Sequence, residues 1–195
     1  MDLRAYSTKS QLTHLDEHGR ASMVDVSDKL PTKRTATATG RICITRTAYE
    51  LITSTYPAHG QSSAESEAVE KARRKGDALT IAQLAGIMGA KRTSDFIPLC
   101  HPLVLSKVDV KLHPEVASED ASGEPGSLDK YSVFCTATVT CEGKTGVEME
   151  ALTAVSTSLL TVWDMLKAIA GRQMEIGEIV VKAKTGGKRG DFSRA

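Results

Sequence analysis

The chain has 195 residues, 41% of them hydrophobic and 25% charged, which is the size and make-up of one domain able to bury a core. Its formal net charge of +1 excludes a global attraction to nucleic acid or to an acidic membrane, so any anion must be held by local groups. The four cysteines, Cys43, Cys100, Cys135 and Cys141, form no CxxC or CxxH pair and read as free thiols of a reducing compartment.

Residues 1–10 read as a frayed leader without the apolar stretch of a secretory signal. A short strand is predicted at 23–26, then a polar turn at 27–34 carrying Pro31 and the cations Lys29, Lys33 and Arg34. Alternating Ala and Thr over 35–45, ending in Ile42, Cys43 and Ile44, predicts a strand. A short helix follows at 47–54, a loop at 56–63 and a polar helix at 65–74. Asp77 is placed to cap a helix running through Ile81, Leu84, Ile87 and Met88. A further turn of helix at 93–99 is stopped by Pro98 and Pro102.

Residues 104–113 set Val108, Val110 and Leu112 against Lys107, Asp109 and Lys111, the pattern of a half-buried antiparallel strand. An exposed loop at 115–130 leads to a second alternating strand at 131–142, with Val133, Cys135, Ala137, Val139 and Cys141 on one face and threonines on the other. A turn at 143–146 precedes a long helix whose stripe is Leu152, Val155, Leu159, Val162, Leu166 and Ile169. A last strand at 176–184 and a flexible basic tail at 186–190 complete the pass. Strands joined partly by helices and partly by a meandering loop predict an α+β fold, with helices on one face of an antiparallel sheet. Residues 11–192 are taken as a single domain and 193–195 as a tail.

Between residues 151 and 171 the only charges are Asp164 and Lys167, one helical turn apart. They are either a structural ion pair at a helix end or groups kept for chemistry. The five Ser and Thr residues of the segment argue with these charges against a membrane span. Glu148 and Glu150 stand where the helix begins, where carboxylates complement the helix dipole. Glu150 and Asp164 lie 14 residues apart and so about 21 Å along the axis, too far to touch one reacting atom within a single subunit. They grip distant parts of a long ligand, or a second chain brings another copy close.

Three cation groups, Lys29/Lys33/Arg34, Arg73/Arg74/Lys75 and Lys182/Lys184/Lys188/Arg189, border turns where a phosphate can meet both backbone N–H groups and a cation. Residues 86–93 lack the spacing of a phosphate loop. His101, bracketed by Pro98 and Pro102, is aimed as a ligand-facing imidazole would be. Cys100 and His101 are adjacent and poorly disposed to share one tetrahedral ion, and no second pair is spaced for it, so no metal site is expected there; no cofactor is expected either.

The runs at 12–16, 23–27, 75–77, 97–103, 145–153, 163–168 and 184–192 resemble, in matching order, the MoaC family. The resemblance implies a ferredoxin-like fold, assembled as a hexamer of three dimers with active sites at the dimer interfaces. It also implies the second step of molybdenum cofactor synthesis. There a cyclised dihydro-GTP, 3′,8-cyclo-7,8-dihydroguanosine triphosphate, is rearranged to cyclic pyranopterin monophosphate with release of pyrophosphate. Matched motif by motif, Asp164, Lys167 and Lys184 fall on the catalytic positions. Lys29, Arg34 and Lys75 fall on positive groups of the site, and Leu99, Cys100, His101, Met149 and Glu150 on substrate-binding ones. The expected partners are this nucleotide-derived substrate and other copies of the chain, with no nucleic acid and no membrane, in the cytoplasm or alternatively the mitochondrial matrix. The rival reading of the residues is a nucleotide-binding regulatory module without turnover.

Overall fold

The computed structural model describes residues 14–54, 77–117, 130–188 and 190–194. The leader expected at 1–10, the loop at 56–63, the polar helix at 65–74 and most of the loop at 115–130 lie outside these residues. In chain order the elements are β1 (Thr32–Cys43), α1 (Arg46–Thr53), α2 (Ala78–Lys91), α3 (Thr93–Phe96), β2 (Leu105–Val116), β3 (Tyr131–Gly143), α4 (Glu148–Ala170), β4 (Glu175–Thr185) and β5 (Phe192–Ser193). The sheet order is β2-β3-β1-β4-β5, every neighbouring pair antiparallel. Two interleaved strand–helix–strand units, with α2 and α4 on the same side, make this the expected α+β, ferredoxin-like arrangement.

The alternation of β1 and β3 decides which side is covered. Ala36, Ala38 and Ile42 of β1 and Val133, Cys135, Ala137, Val139 and Cys141 of β3 all face the helices and are buried. Val155, Leu159, Val162 and Leu166, four members of the predicted stripe, close over them. On the opposite face the threonines pair hydroxyl to hydroxyl across the strands, Thr35 with Thr140 at 3.2 Å and Thr37 with Thr138 at 2.9 Å. All four cysteines are free thiols, and burial pushes Cys135 up to about 11. At 23 residues α4 is long and apolar enough to cross a membrane, but it is packed on the sheet and on α2 as a core helix.

Asp77 caps α2 as the sequence predicts, its carboxylate accepting from the backbone N–H groups of Leu79 and Thr80. The row that marks this helix in the sequence is not the buried one. Leu84 and Met88 are exposed, while Ala78, Ala82, Gly86, Gly89 and Ala90 are buried. The small residues let α2 approach α4 so closely that a Cβ at Gly86 would stand 2.2 Å from Ser158 Oγ and 2.9 Å from the Ala154 carbonyl oxygen.

Three local expectations are corrected. Residues 23–26 form no strand: they are irregular and line a cleft, while the neighbours of β1 in the sheet are β3 and β4. The polar turn ends early: β1 begins at Thr32, so Lys33 and Arg34 alternate on a strand, Lys33 exposed and Arg34 buried. The segment at 186–190 is a turn, not a free tail. Gly186 N–H donates to Asp191 Oδ1 at 3.1 Å, and the chain returns to pair Phe192 with Lys184.

Candidate active site

A cleft of about 470 Å³ opens where the N-terminus of α4, the start of β1 and the end of β4 meet. Arg34 enters it from β1 and donates from Nε to the Gly143 carbonyl at 2.9 Å, which fixes the guanidinium beside the turn that leads into α4. Lys184 enters from β4 and donates from Nζ to Glu148 Oε1 at 2.9 Å. Gly186, at φ +80°, makes the turn beyond β4, and a Cβ there would meet the Lys33 carbonyl oxygen at 2.0 Å.

Met149 and Glu150 follow Glu148 on the first turn of α4, which has no side-chain cap of its own. The carboxylates differ. Burial raises the Glu148 carboxyl, but the Lys184 hydrogen bond, its own backbone N–H and the charges of Lys184 and Arg34 together hold it below its ordinary value. Glu150 is only 4% exposed, and burial, reinforced by the negative charge of Glu148, pushes it above the ordinary value. One carboxylate is thus spent on a lysine, while the other is buried against the cleft with its charge uncompensated by a nearby cation.

The remaining walls come from loops. Leu99 and Cys100 lie in the turn closed by Cys100 N–H to the Ile97 carbonyl, 3.0 Å, and His101 follows it. Burial and the Glu150 charge raise the Cys100 thiol, so these two side chains face a shared space. Lys29 arrives from a turn closed by its N–H on the Val26 carbonyl at 3.1 Å. The structure therefore gathers Lys29, Arg34, Leu99, Cys100, His101, Met149, Glu150 and Lys184 in one place. Lys75 lies outside the described residues.

Asp164 and Lys167 do not line this cleft. They form an ion pair near the C-terminal end of α4, with side chains 60% and 48% exposed. Because α4 is continuous from Glu148 to Ala170, the 14-residue interval from Glu150 stands as roughly 21 Å of axis. The outward row Leu160, Asp164, Lys167 is the bare side of a helix otherwise covered by the sheet and α2, and Leu160 is 59% exposed.

Sequence reasoning did not assign four ionisable lining groups to the site: Glu148, Lys144, Lys188 and His14. Glu148 was legible only as a complement to the helix dipole, since its partner Lys184 is 36 residues away. Lys144 had a usable signal, a lysine in a glycine-bounded turn directly before a helix N-terminus. Of the basic group at 182–189, Lys184 and Lys188 reach the cleft and Arg189 lies outside the described residues. Among the described residues, Lys29, Arg34, Lys144, Lys184 and Lys188 thus meet two carboxylates, Glu148 and Glu150, around a space sized for a nucleotide.

The MoaC family model matches residues 23–187. The chain is 47% identical over 184 residues to a cyclic pyranopterin monophosphate synthase of Parvibaculum lavamentivorans, covering 93% of this chain and 96% of the relative. It is 45% identical over 185 residues to one of Bacillus thuringiensis, covering 95% and 98% respectively.

Proposed function

The chain belongs to the MoaC family and catalyses the cyclic pyranopterin monophosphate synthase reaction of molybdenum cofactor biosynthesis, and we propose that the cleft at the N-terminus of α4 holds its triphosphate substrate. The observation that carries this assignment is the excess of cations over carboxylates in one cleft of a chain whose overall charge is only +1. Such a local excess fits a polyanionic small molecule rather than a polyanionic surface.

Rearranging 3′,8-cyclo-7,8-dihydroguanosine triphosphate opens the purine five-membered ring, closes a new ring and forms a cyclic phosphate as pyrophosphate leaves. Lys29, Arg34, Lys75 and His101 hold the triphosphate and offset the charge that builds on the departing pyrophosphate. Glu150 accepts hydrogen bonds from the guanine-derived edge, whose N–H donors favour its ionised form. Leu99, Cys100 and Met149 shape the walls around the ring system. Lys184, oriented by Glu148, stands where a general acid or base is needed.

Asp164 and Lys167 carry the other proton transfers from a second copy of the chain, in a hexamer built from three dimers. Two features support this: the pair is far from its own cleft, and it shares an exposed helix face with Leu160. We place the enzyme in the cytoplasm, as befits its bacterial relatives.

Incubation with the cyclised dihydro-GTP yields pyrophosphate and a pterin. Saturable binding without either product would instead establish a regulatory binding module. The state of Glu150 adds a pH signature. Because its carboxyl is raised, it takes up a proton at a higher pH than an ordinary glutamate as pH falls, and substrate affinity falls with it. Glu148, held low by Lys184, stays charged through that window. Glu150→Gln is expected to raise KM by about tenfold or more, the loss of a charge-assisted hydrogen bond, and to flatten the acid rise in KM. An unchanged acid limb in that variant would remove Glu150 from substrate recognition.

A further inference from the structure

Residues 22–26, followed by the turn at 27–29, belong to no helix or strand, yet Val24, Val26 and Lys29 line the cleft. Within the segment, Asp25 Oδ1 accepts the Ser27 backbone N–H at 2.8 Å and the Ser27 hydroxyl at 2.6 Å. The Lys29 N–H closes the next turn on the Val26 carbonyl. These bonds give the segment its shape but tie it to nothing beyond itself. The Ser22 N–H donates to the His14 carbonyl at 3.0 Å, and among the described residues the side-chain hydrogen bond from the body of the fold comes from Lys144, which reaches back from the turn between β3 and α4 and donates from Nζ to the Ser27 carbonyl at 2.7 Å. The Lys144 charge also acts on the Asp25 carboxylate.

An irregular segment anchored this way arrives at the cleft already ordered. Without the anchor it would have to be ordered at the moment of binding, which weakens affinity without touching the chemistry. We infer that Lys144 is a positioning residue of this enzyme: by gripping the Ser27 carbonyl it holds residues 22–29 across the cleft, so that Lys29 meets the substrate's phosphates. This role rests on the assignment of the cleft to the triphosphate substrate. It differs from direct phosphate binding by Lys144, which predicts a similar loss of affinity but no dependence on the segment.

The test compares Lys144→Met, Lys144→Arg, Asp25→Ala and the double variant Lys144→Met/Asp25→Ala in the full chain. Each is assayed for pyrophosphate release from the cyclised dihydro-GTP and for amide hydrogen exchange over residues 22–30. Lys144→Met is expected to raise KM about tenfold with kcat within about twofold, the scale of one charge-assisted hydrogen bond. It is also expected to speed exchange in that segment alone, and Lys144→Arg, which keeps a donor, is expected to restore both readouts. Asp25→Ala loosens the same segment from within, so its effect and that of Lys144→Met should not add in the double variant.

Additive effects, or a raised KM with unchanged exchange, would overturn the positioning role in favour of direct contact with phosphate. An unchanged KM in Lys144→Met would overturn it outright. A Lys144→Met protein that fails to fold leaves the decision to Asp25→Ala, where an unchanged KM despite faster exchange overturns it equally. If the wild-type chain releases no pyrophosphate, the assignment of the cleft fails, and the exchange data still judge the anchor separately.

Discussion

Asp164→Asn is expected to lower kcat by roughly 10²- to 10⁴-fold, the usual reach of a positioned acid–base group, while leaving substrate binding nearly intact. The expectation follows from distance. Asp164 sits near the far end of α4 from the cleft that gathers Lys29, Arg34, Glu150 and Lys184, and its own chain cannot bring it closer. Within its own chain it therefore makes no contact with that cleft, and the isosteric amide keeps the shape of this acid–base group while losing the proton transfer. If a second copy delivers it, two dead variants should repair one another. Mixing Asp164→Asn with Lys184→Ala subunits, under conditions that let them exchange, should restore about a quarter of wild-type activity. Half of the randomly formed dimers are mixed, and each mixed dimer holds one intact site of two. Mixtures as inactive as their parents would show that both residues must come from one chain, and retained pyrophosphate release by Asp164→Asn alone would end its catalytic assignment.

Gly86→Ala is expected to destabilise the fold by about 3 kcal/mol, at the upper end of ordinary overpacking. The added methyl has no room: Ser158 Oγ would stand at 2.2 Å and the Ala154 carbonyl oxygen at 2.9 Å, one a side chain held in the core and the other helix backbone. Relief requires α2 and α4 to separate, which loosens the small-residue face of α2 along its length. For a chain of this size the loss corresponds to a fall in melting temperature of roughly 6–12 °C. Adding Ser158→Ala to Gly86→Ala should recover part of that fall, because it removes the nearer obstacle and leaves the backbone one. A melting temperature within about 1 °C of wild type for Gly86→Ala would mean that the two helices are not held this close.

Much of the architecture was legible from periodicity. The alternation along β3 and the stripe of α4 are properties of consecutive residues, and the buried faces fall where they point. The Asp77 cap is equally local, since a carboxylate and the N–H groups it accepts from are within three residues. The face of α2 was not legible. Hydrophobicity marks Ile81, Leu84, Ile87 and Met88, yet close approach to another helix selects for small side chains, and that approach is a property of α4. The extra strand β5 was missed for a related reason: two residues carry no period, and only their pairing with β4 makes them a strand.

The site divides along the same line. The residues by themselves determined the chemical inventory: local cations without a global basic charge, carboxylates at a helix start, and two charges isolated on an apolar helix. Through its motifs the sequence also determined the family. Helix rise alone was enough to separate Glu150 from Asp164, because an axial distance needs only a residue count. The tertiary structure alone decided how the inventory is shared out. Glu148 and Lys184, 36 residues apart, become partners because the start of α4 and the end of β4 meet at one end of the central strands. Glu150, two residues further on, turns into the core-facing wall and meets no such lysine, so its carboxyl is raised while that of Glu148 is lowered. Local sequence sets which groups a chain carries, whereas their protonation and partners depend on burial and on neighbours brought from elsewhere in the chain.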